Sequence, residues 1–336
     1  MLSKLSIKQK LILIMLIPLI VVILLAAKLA IDSFSTSKNL RALDRVVILS
    51  TKIGALVHEA QKERGMTAGF LGSSGEKFKV ELPAQRLNVD EKLKELNTLL
   101  NTFNKNEYSS EFLENLNLSL KKIEDLNNTR NGVNSLSLNA GIAIGYYTDL
   151  NKLLLNVIGS ITKLSNSATV SQQLVSYMNF LLSKERAGVE RAVGTNTFAK
   201  DSFGEGMKAK FYTLIAEQNA YMDSFLKVSD SKVVEFYKTN LKGDSVDEVE
   251  RIRKIALYSD IETNFEVDAN HWFKEITEKI NLLKKVEDYI SQTLIITIND
   301  EMSDSNQNMI IFGLLSILGI ALTMILARTI AFTILI

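Results

Sequence analysis

Two uncharged apolar runs, LILIMLIPLIVVILLAA at 11–27 and MIIFGLLSILGIALTMILA at 309–327, bracket a long polar stretch. At about 1.5 Å of helical rise per residue, each run nearly spans a hydrocarbon core ~30 Å thick. A chain with two such spans holds the segment between them on one side of a membrane and both ends on the other. Lys4, Lys8 and Lys10 precede the first run with no acid among them, and Arg328 directly follows the second. Positive charge collects at the cytoplasmic ends of membrane helices. The expected order is therefore a cytoplasmic N-terminus at 1–10, a transmembrane helix at 11–31, an extracytoplasmic domain at 32–308, a second transmembrane helix at 309–327 and a cytoplasmic stretch at 328–336. The first run is longer than the roughly 7–15 residues of a signal-peptide core, which favours an anchor over a cleaved leader. The layout is that of a transmembrane receptor in an inner membrane, with its sensor domain in the periplasm. The chain ends on the apolar string TIAFTILI, read as a truncation with an output domain beyond it.

Charge is nearly balanced, 39 basic against 38 acidic residues, so no nucleic-acid footprint is expected. The absence of cysteine excludes disulfides, thiolate zinc sites and a cysteine nucleophile. Only Pro18 and Pro83 interrupt a composition rich in Leu, Lys, Glu and Asn, which reads as almost entirely helical. The expected fold is all-α, about eight helices in up-and-down bundles flanked by the two membrane helices. Breaks are expected at 71–78 and 194–206 and a turn at 127–135. Pro83 is expected to open one helix and Ser245 to cap another.

Enzymatic readings fail, and no cofactor or metal is expected. His58-Glu59-Ala60-Gln61-Lys62 begins like a zinc-binding His-Glu-x-x-His helix, but the fifth residue is lysine. His58 reads instead as a helix-surface side chain, and no glycine loop is followed by Lys-Ser/Thr. An internal echo pairs Lys62-Glu63-Arg64-Gly65 with Lys184-Glu185-Arg186-Ala187-Gly188, which suggests two related halves.

The arginines carry more. Arg186 before Glu190 and Arg251 after Asp247 have the spacing of surface i,i+4 pairs. Arg64 shares its face with Ala60, Gln61, Thr67 and Ala68, and Arg191 with Ala187, Gly188, Gly194 and Thr195, with no acid one turn away. Arg253 sits among Val249, Ala256 and Leu257, with only Glu250 within a turn. An arginine inside a bundle needs an anion, supplied either by a distant acid or by a ligand.

The strings Gln61-Lys62-Glu63-Arg64-Gly65-Met66-Thr67-Ala68-Gly69-Phe70-Leu71, Gln85-Arg86 with Asp90, Lys184 to Ala192 (KERAGVERA) and Trp272-Phe273 resemble, in order, the NIT domain. That domain is the nitrate- and nitrite-sensing module of bacterial receptors and antiterminators. The resemblance covers about residues 50–290 and implies two stacked four-helix bundles with nitrate or nitrite held by arginines from different helices. Carried over by position, the ligand residues are Arg64, Arg191 and, where the match is loose between Arg251 and Arg253, Arg253. The implied protein is a chemoreceptor acting through a chemotaxis kinase and adaptor, and the two-span layout, usual for receptors that signal as dimers, adds the expectation of a homodimer. A histidine-kinase or cyclic-dinucleotide output, or a membrane-anchored protein-interaction bundle without a small ligand, are the alternatives.

Overall fold

The computed structural model describes residues 7–104, 108–161, 165, 167–258 and 264–335. Residues 1–6, the first part of the expected cytoplasmic N-terminus, lie outside them. The described residues form ten helices: α1 (Ile7–Gly72), α2 (Glu81–Leu100), α3 (Ser110–Glu124), α4 (Leu126–Asn134), α5 (Ala140–Ile161), α6 (Ala168–Lys200), α7 (Met207–Val228), α8 (Ser231–Asn240), α9 (Asp244–Tyr258) and α10 (Ala269–Leu335). The chain divides into two compact units, one of residues 1–44 with 297–336 and one of residues 45–296.

In the first unit the N-terminal part of α1 and the C-terminal part of α10 lie antiparallel. Ser37 Oγ donates to Asn306 Oδ1, Ser305 Oγ donates to the Ser33 carbonyl, and Val22 lies against Gly319. Many apolar side chains of the two apolar runs are exposed, among them Leu24 at 63% and Ile325 at 66%. Water would penalise such a surface and lipid would not. Both helices are long and apolar enough to cross a membrane.

The second unit is two bundles of like construction. In the first, the C-terminal part of α1 packs with α2, α5 and the consecutive pair α3–α4; in the second, α6 packs with α7, α10 and the pair α8–α9. The third helix of each bundle is thus split in two, which turns the expected eight helices into ten. Ser109, Ser167 and Asp230 cap α3, α6 and α8 by accepting from backbone N–H groups two or three residues on. Asp268 does the same ahead of α10, accepting from Asn270 N and His271 N. Pro83 lies in the first turn of α2, where its missing N–H costs nothing.

Several local expectations need correction. The stretch 127–135 is not a turn: Leu126, Thr129, Arg130 and Val133 give it a buried face, and it forms α4. Gly194 does not end α6, because the indole of Trp272 packs where its side chain would be. That helix stops instead at Asp201, whose φ of 51° is left-handed. The helix expected to be capped by Ser245 already includes Asp244. His58 is buried, not on a surface.

The bundles meet along α1 and α6, which run parallel: Gln61 faces Glu185, Gly65 faces Arg191, and Gly69 faces Thr195. Small residues on both helices let the backbones approach, and this seam carries the candidate site.

Candidate functional site

Each bundle is held from within by one carboxylate and one arginine. Glu63 on α1 is fully buried and accepts from Arg130 Nε and Nη2 on α4, both at 2.8 Å. It also accepts from Tyr147 Oη on α5 at 2.6 Å. Glu190 on α6 is equally buried and accepts from Arg253 Nε and Nη2 on α9, both at 2.6 Å, and from Gln218 Nε2 on α7 at 2.7 Å. Bidentate, charge-assisted bonds of this kind satisfy two buried ions at once. Glu63-Arg64 and Glu190-Arg191 are therefore the matching pairs of the two halves. The internal echo is real but lies in a different register from the one read on Lys184-Glu185-Arg186.

The arginine following each of these glutamates turns toward the seam. Arg64 and Arg191 are both fully buried. Arg64 Nη1 donates to Thr148 Oγ1 on α5 at 3.1 Å, and Arg191 Nη1 donates to Thr277 Oγ1 on α10 at 3.0 Å. Each guanidinium rests on the partner helix where that helix has a glycine. A Cβ at Gly188 would lie 2.8 Å from Arg64 Nη2, and one at Gly65 would lie 3.2 Å from Arg191 Nε. The two cations feel each other. Burial first, and then the Arg64 charge, pull the Arg191 pKa down to about 9. A guanidinium does not surrender its proton in a protein, so the same strain is relieved by a nearby anion.

The halves differ in how that need is met. Arg64 Nη1 also donates to Glu185 Oε1 at 2.6 Å, and Gln61 Nε2 donates to Glu185 Oε2. For Arg191 no carboxylate lies within ion-pair distance among the described residues. Its guanidinium lies 5.2 Å from the centroid of the Phe273 ring, and Trp272 Nε1 donates to its carbonyl at 3.1 Å. Nε and Nη2 of both arginines have no hydrogen-bond partner among the described residues. Buried donors are nearly always paired, so four unpartnered N–H-bearing nitrogens at one seam mark a place for an acceptor.

Of the three arginines singled out in the sequence, the structure brings Arg64 and Arg191 together. Arg253 is in the interior of the second bundle, with Glu190, Gln218 and, at 2.6 Å, Glu250 around its guanidinium. Arg251 is exposed and pairs with Glu248, not with Asp247, while Arg186 pairs with Glu217, not with Glu190. Sequence reasoning missed Thr148, Thr277 and Glu185. Each threonine is the ninth residue of the last helix of its bundle, a match that the ungapped register of the two Glu-Arg dipeptides does not reveal, since that register sets Thr148 against Glu275.

A family model described as "Nitrate and nitrite sensing" matches residues 55–295. A nitrate regulatory protein of Klebsiella oxytoca is 24% identical over 253 residues, which cover 75% of this chain and 63% of that protein. The chain therefore spans less than two thirds of the length of this curated relative. Among solved structures, that of the NasR transcription antiterminator superposes with a TM-score of 0.72 at 22% identity, over 85% of this chain and 83% of that one. At that identity the likeness speaks for the all-α fold alone. The curated relative is a nitrate regulatory protein, which overturns the expectation of a chemoreceptor. The chemotaxis kinase and adaptor go with it.

Proposed function

Because the chain belongs to the nitrate and nitrite sensing family, we propose that it is a regulatory sensor that holds one of these anions between Arg64 and Arg191. The observation that carries the reading is the Arg191 guanidinium: fully buried, without a carboxylate among the described residues, and with Nε and Nη2 unpartnered. Those two nitrogens form the flat edge that matches two oxygens of a planar oxyanion, and nitrate and nitrite are both planar. Arg64 offers the same edge from α1. Arg253 enters this reading as the residue that fixes Glu190, and through it the start of the Arg191 turn, without touching the ligand.

The same proposal places the apolar ends of α1 and α10 in a bacterial inner membrane and the sensor in the periplasm. The exposed apolar side chains and the flanking lysines support it. Association of two copies, expected from the layout, belongs to the reading as well, and light scattering on the detergent-solubilised full chain tests it.

The deciding experiment is calorimetry on the full chain in detergent, titrated with sodium nitrate and sodium nitrite. Saturable binding is expected, and Arg191→Ala should weaken it by about 10-fold or more through loss of a charge-assisted contact. An Arg191→Ala protein that binds like wild type would overturn the assignment.

A further inference from the structure

His58 and Glu185 each stand six residues before the seam arginine of their own helix, so they occupy matching places in the two halves. Glu185 reaches across from α6 to Arg64. The matching place on α1 is held by His58, which is buried, feels the Arg191 charge, and whose Nδ1 has no hydrogen-bond partner among the described residues. One half of the seam thus carries a built-in carboxylate, and the other carries an imidazole in its stead.

The other charges around His58 are answered by partners of their own. Lys184 on α6 and Lys284 on α10 both pair with Glu287, and Lys284 also pairs with Asp288. Lys62 pairs with Glu59, whose carboxylate lies 4.0 Å from His58 Nε2 and also accepts from Gln85. Burial, followed by the charges of Lys184, Lys62, Arg191 and Lys284, drives the His58 pKa far below its ordinary value, so the ring is neutral. What remains at the seam is two guanidinia and one carboxylate, a single uncompensated positive charge.

Resting on the anion-sensing reading above, we infer that Glu185 and His58 together set the charge of this site, and so restrict it to anions of a single negative charge. A dianion such as sulfate would bring a second charge into a buried site that can balance only one, and a buried uncompensated charge is strongly disfavoured. Removing the Glu185 charge leaves two cations and suits a dianion. Placing a carboxylate at position 58 gives Arg191 an internal partner and leaves nothing for a ligand to neutralise.

The test is calorimetry of sodium nitrate and sodium sulfate on the full chain in detergent, in wild type, Glu185→Gln and His58→Glu. Glutamine at 185 retains an acceptor for Gln61, and far-ultraviolet circular dichroism monitors folding in each protein. Wild type should prefer nitrate. Glu185→Gln should shift the sulfate-to-nitrate affinity ratio toward sulfate by about 10-fold or more, and His58→Glu should weaken nitrate by at least about 10-fold. If Glu185→Gln fails to fold, the His58→Glu result alone decides. Wild type binding nitrate while the variants keep its affinities overturns the charge-setting role only. Wild type binding no nitrate overturns the sensing reading and this inference with it.

Discussion

Arg191 gives its Nη1 to Thr277 Oγ1 at 3.0 Å, and among the described residues this is the only hydrogen bond its guanidinium makes. A fully buried cation held by one neutral hydroxyl is a source of instability in the empty protein. Arg64, one helix away, has the Glu185 carboxylate as well. Opposite outcomes are expected when each is replaced by an apolar residue of similar reach.

Arg191→Met should stabilise the anion-free chain by about 1–2 kcal/mol, because apolar packing replaces an unpaired buried charge. That corresponds to a melting temperature higher by roughly 2–4 °C for a unit of this size, and the shift that nitrate produces in wild type should vanish. Arg64→Met should destabilise by about 3–5 kcal/mol, since it strands Glu185 with only Gln61 for support. Thermal melts of the detergent-solubilised proteins, with and without nitrate, read both. Equal effects at the two positions would contradict the asymmetry.

Arg253 and Arg251 stand two residues apart and should behave differently. Arg253→Ala leaves Glu190 buried without its bidentate partner and should cost about 3–5 kcal/mol. Arg251→Ala removes an exposed pair with Glu248 and should cost no more than about 1 kcal/mol. Urea titration monitored by circular dichroism compares them directly.

How much of this was legible in the chain varies with the kind of interaction. The helices of the bundles follow from apolar spacing and composition, and Pro83 stands in the first turn of α2, the helix it was expected to open. Gly194 looked like a helix breaker because its packing under Trp272, 78 positions on, leaves no local mark. The register of the repeat was hidden for another reason. Lys184-Glu185-Arg186 copies Lys62-Glu63-Arg64 letter for letter, whereas the functional match is the Glu-Arg pair five residues later. Only the bonds to Arg130 and Arg253 distinguish the two. The convergence of Arg64 and Arg191 was implied by the family resemblance, while their small neighbours showed only that each lacks a partner in its own helix; Glu185 as the partner of Arg64 left no local mark, because the bond crosses between helices 121 positions apart.

His58 should make the chain acid-sensitive. Its folded pKa is depressed and its unfolded value is about 6.5. Below that value the unfolded chain takes up a proton that the folded one refuses, so stability is complete above roughly pH 7 and falls as pH drops through 6. The loss from this one group approaches about 1.4 kcal/mol per pH unit between pH 6 and 5. Denaturant midpoints measured from pH 7.5 to 5 should show the decline in wild type and a clearly shallower one in His58→Gln.

Gly65→Ala probes the close approach at the seam. The added methyl would stand 3.2 Å from Arg191 Nε and 2.7 Å from the edge of Phe273. One of those groups must move, at about 1–3 kcal/mol of overpacking strain. Weaker nitrate binding with unchanged helix content is the expected result of calorimetry and circular dichroism. Wild-type affinity would mean that the Arg191 edge can shift without loss.

The difference between position 58 and position 185 has a consequence for symmetry. A site lying across the two-fold axis of two identical subunits receives every charge twice, so its total from those subunits is even. With a glutamate on both sides the two arginines would be cancelled; with a histidine on both sides they would stand at plus two. Joining two like halves in one polypeptide frees each to vary alone. An odd total, the one that a singly charged ion balances, is open to this chain because its seam joins two halves that are related but not identical.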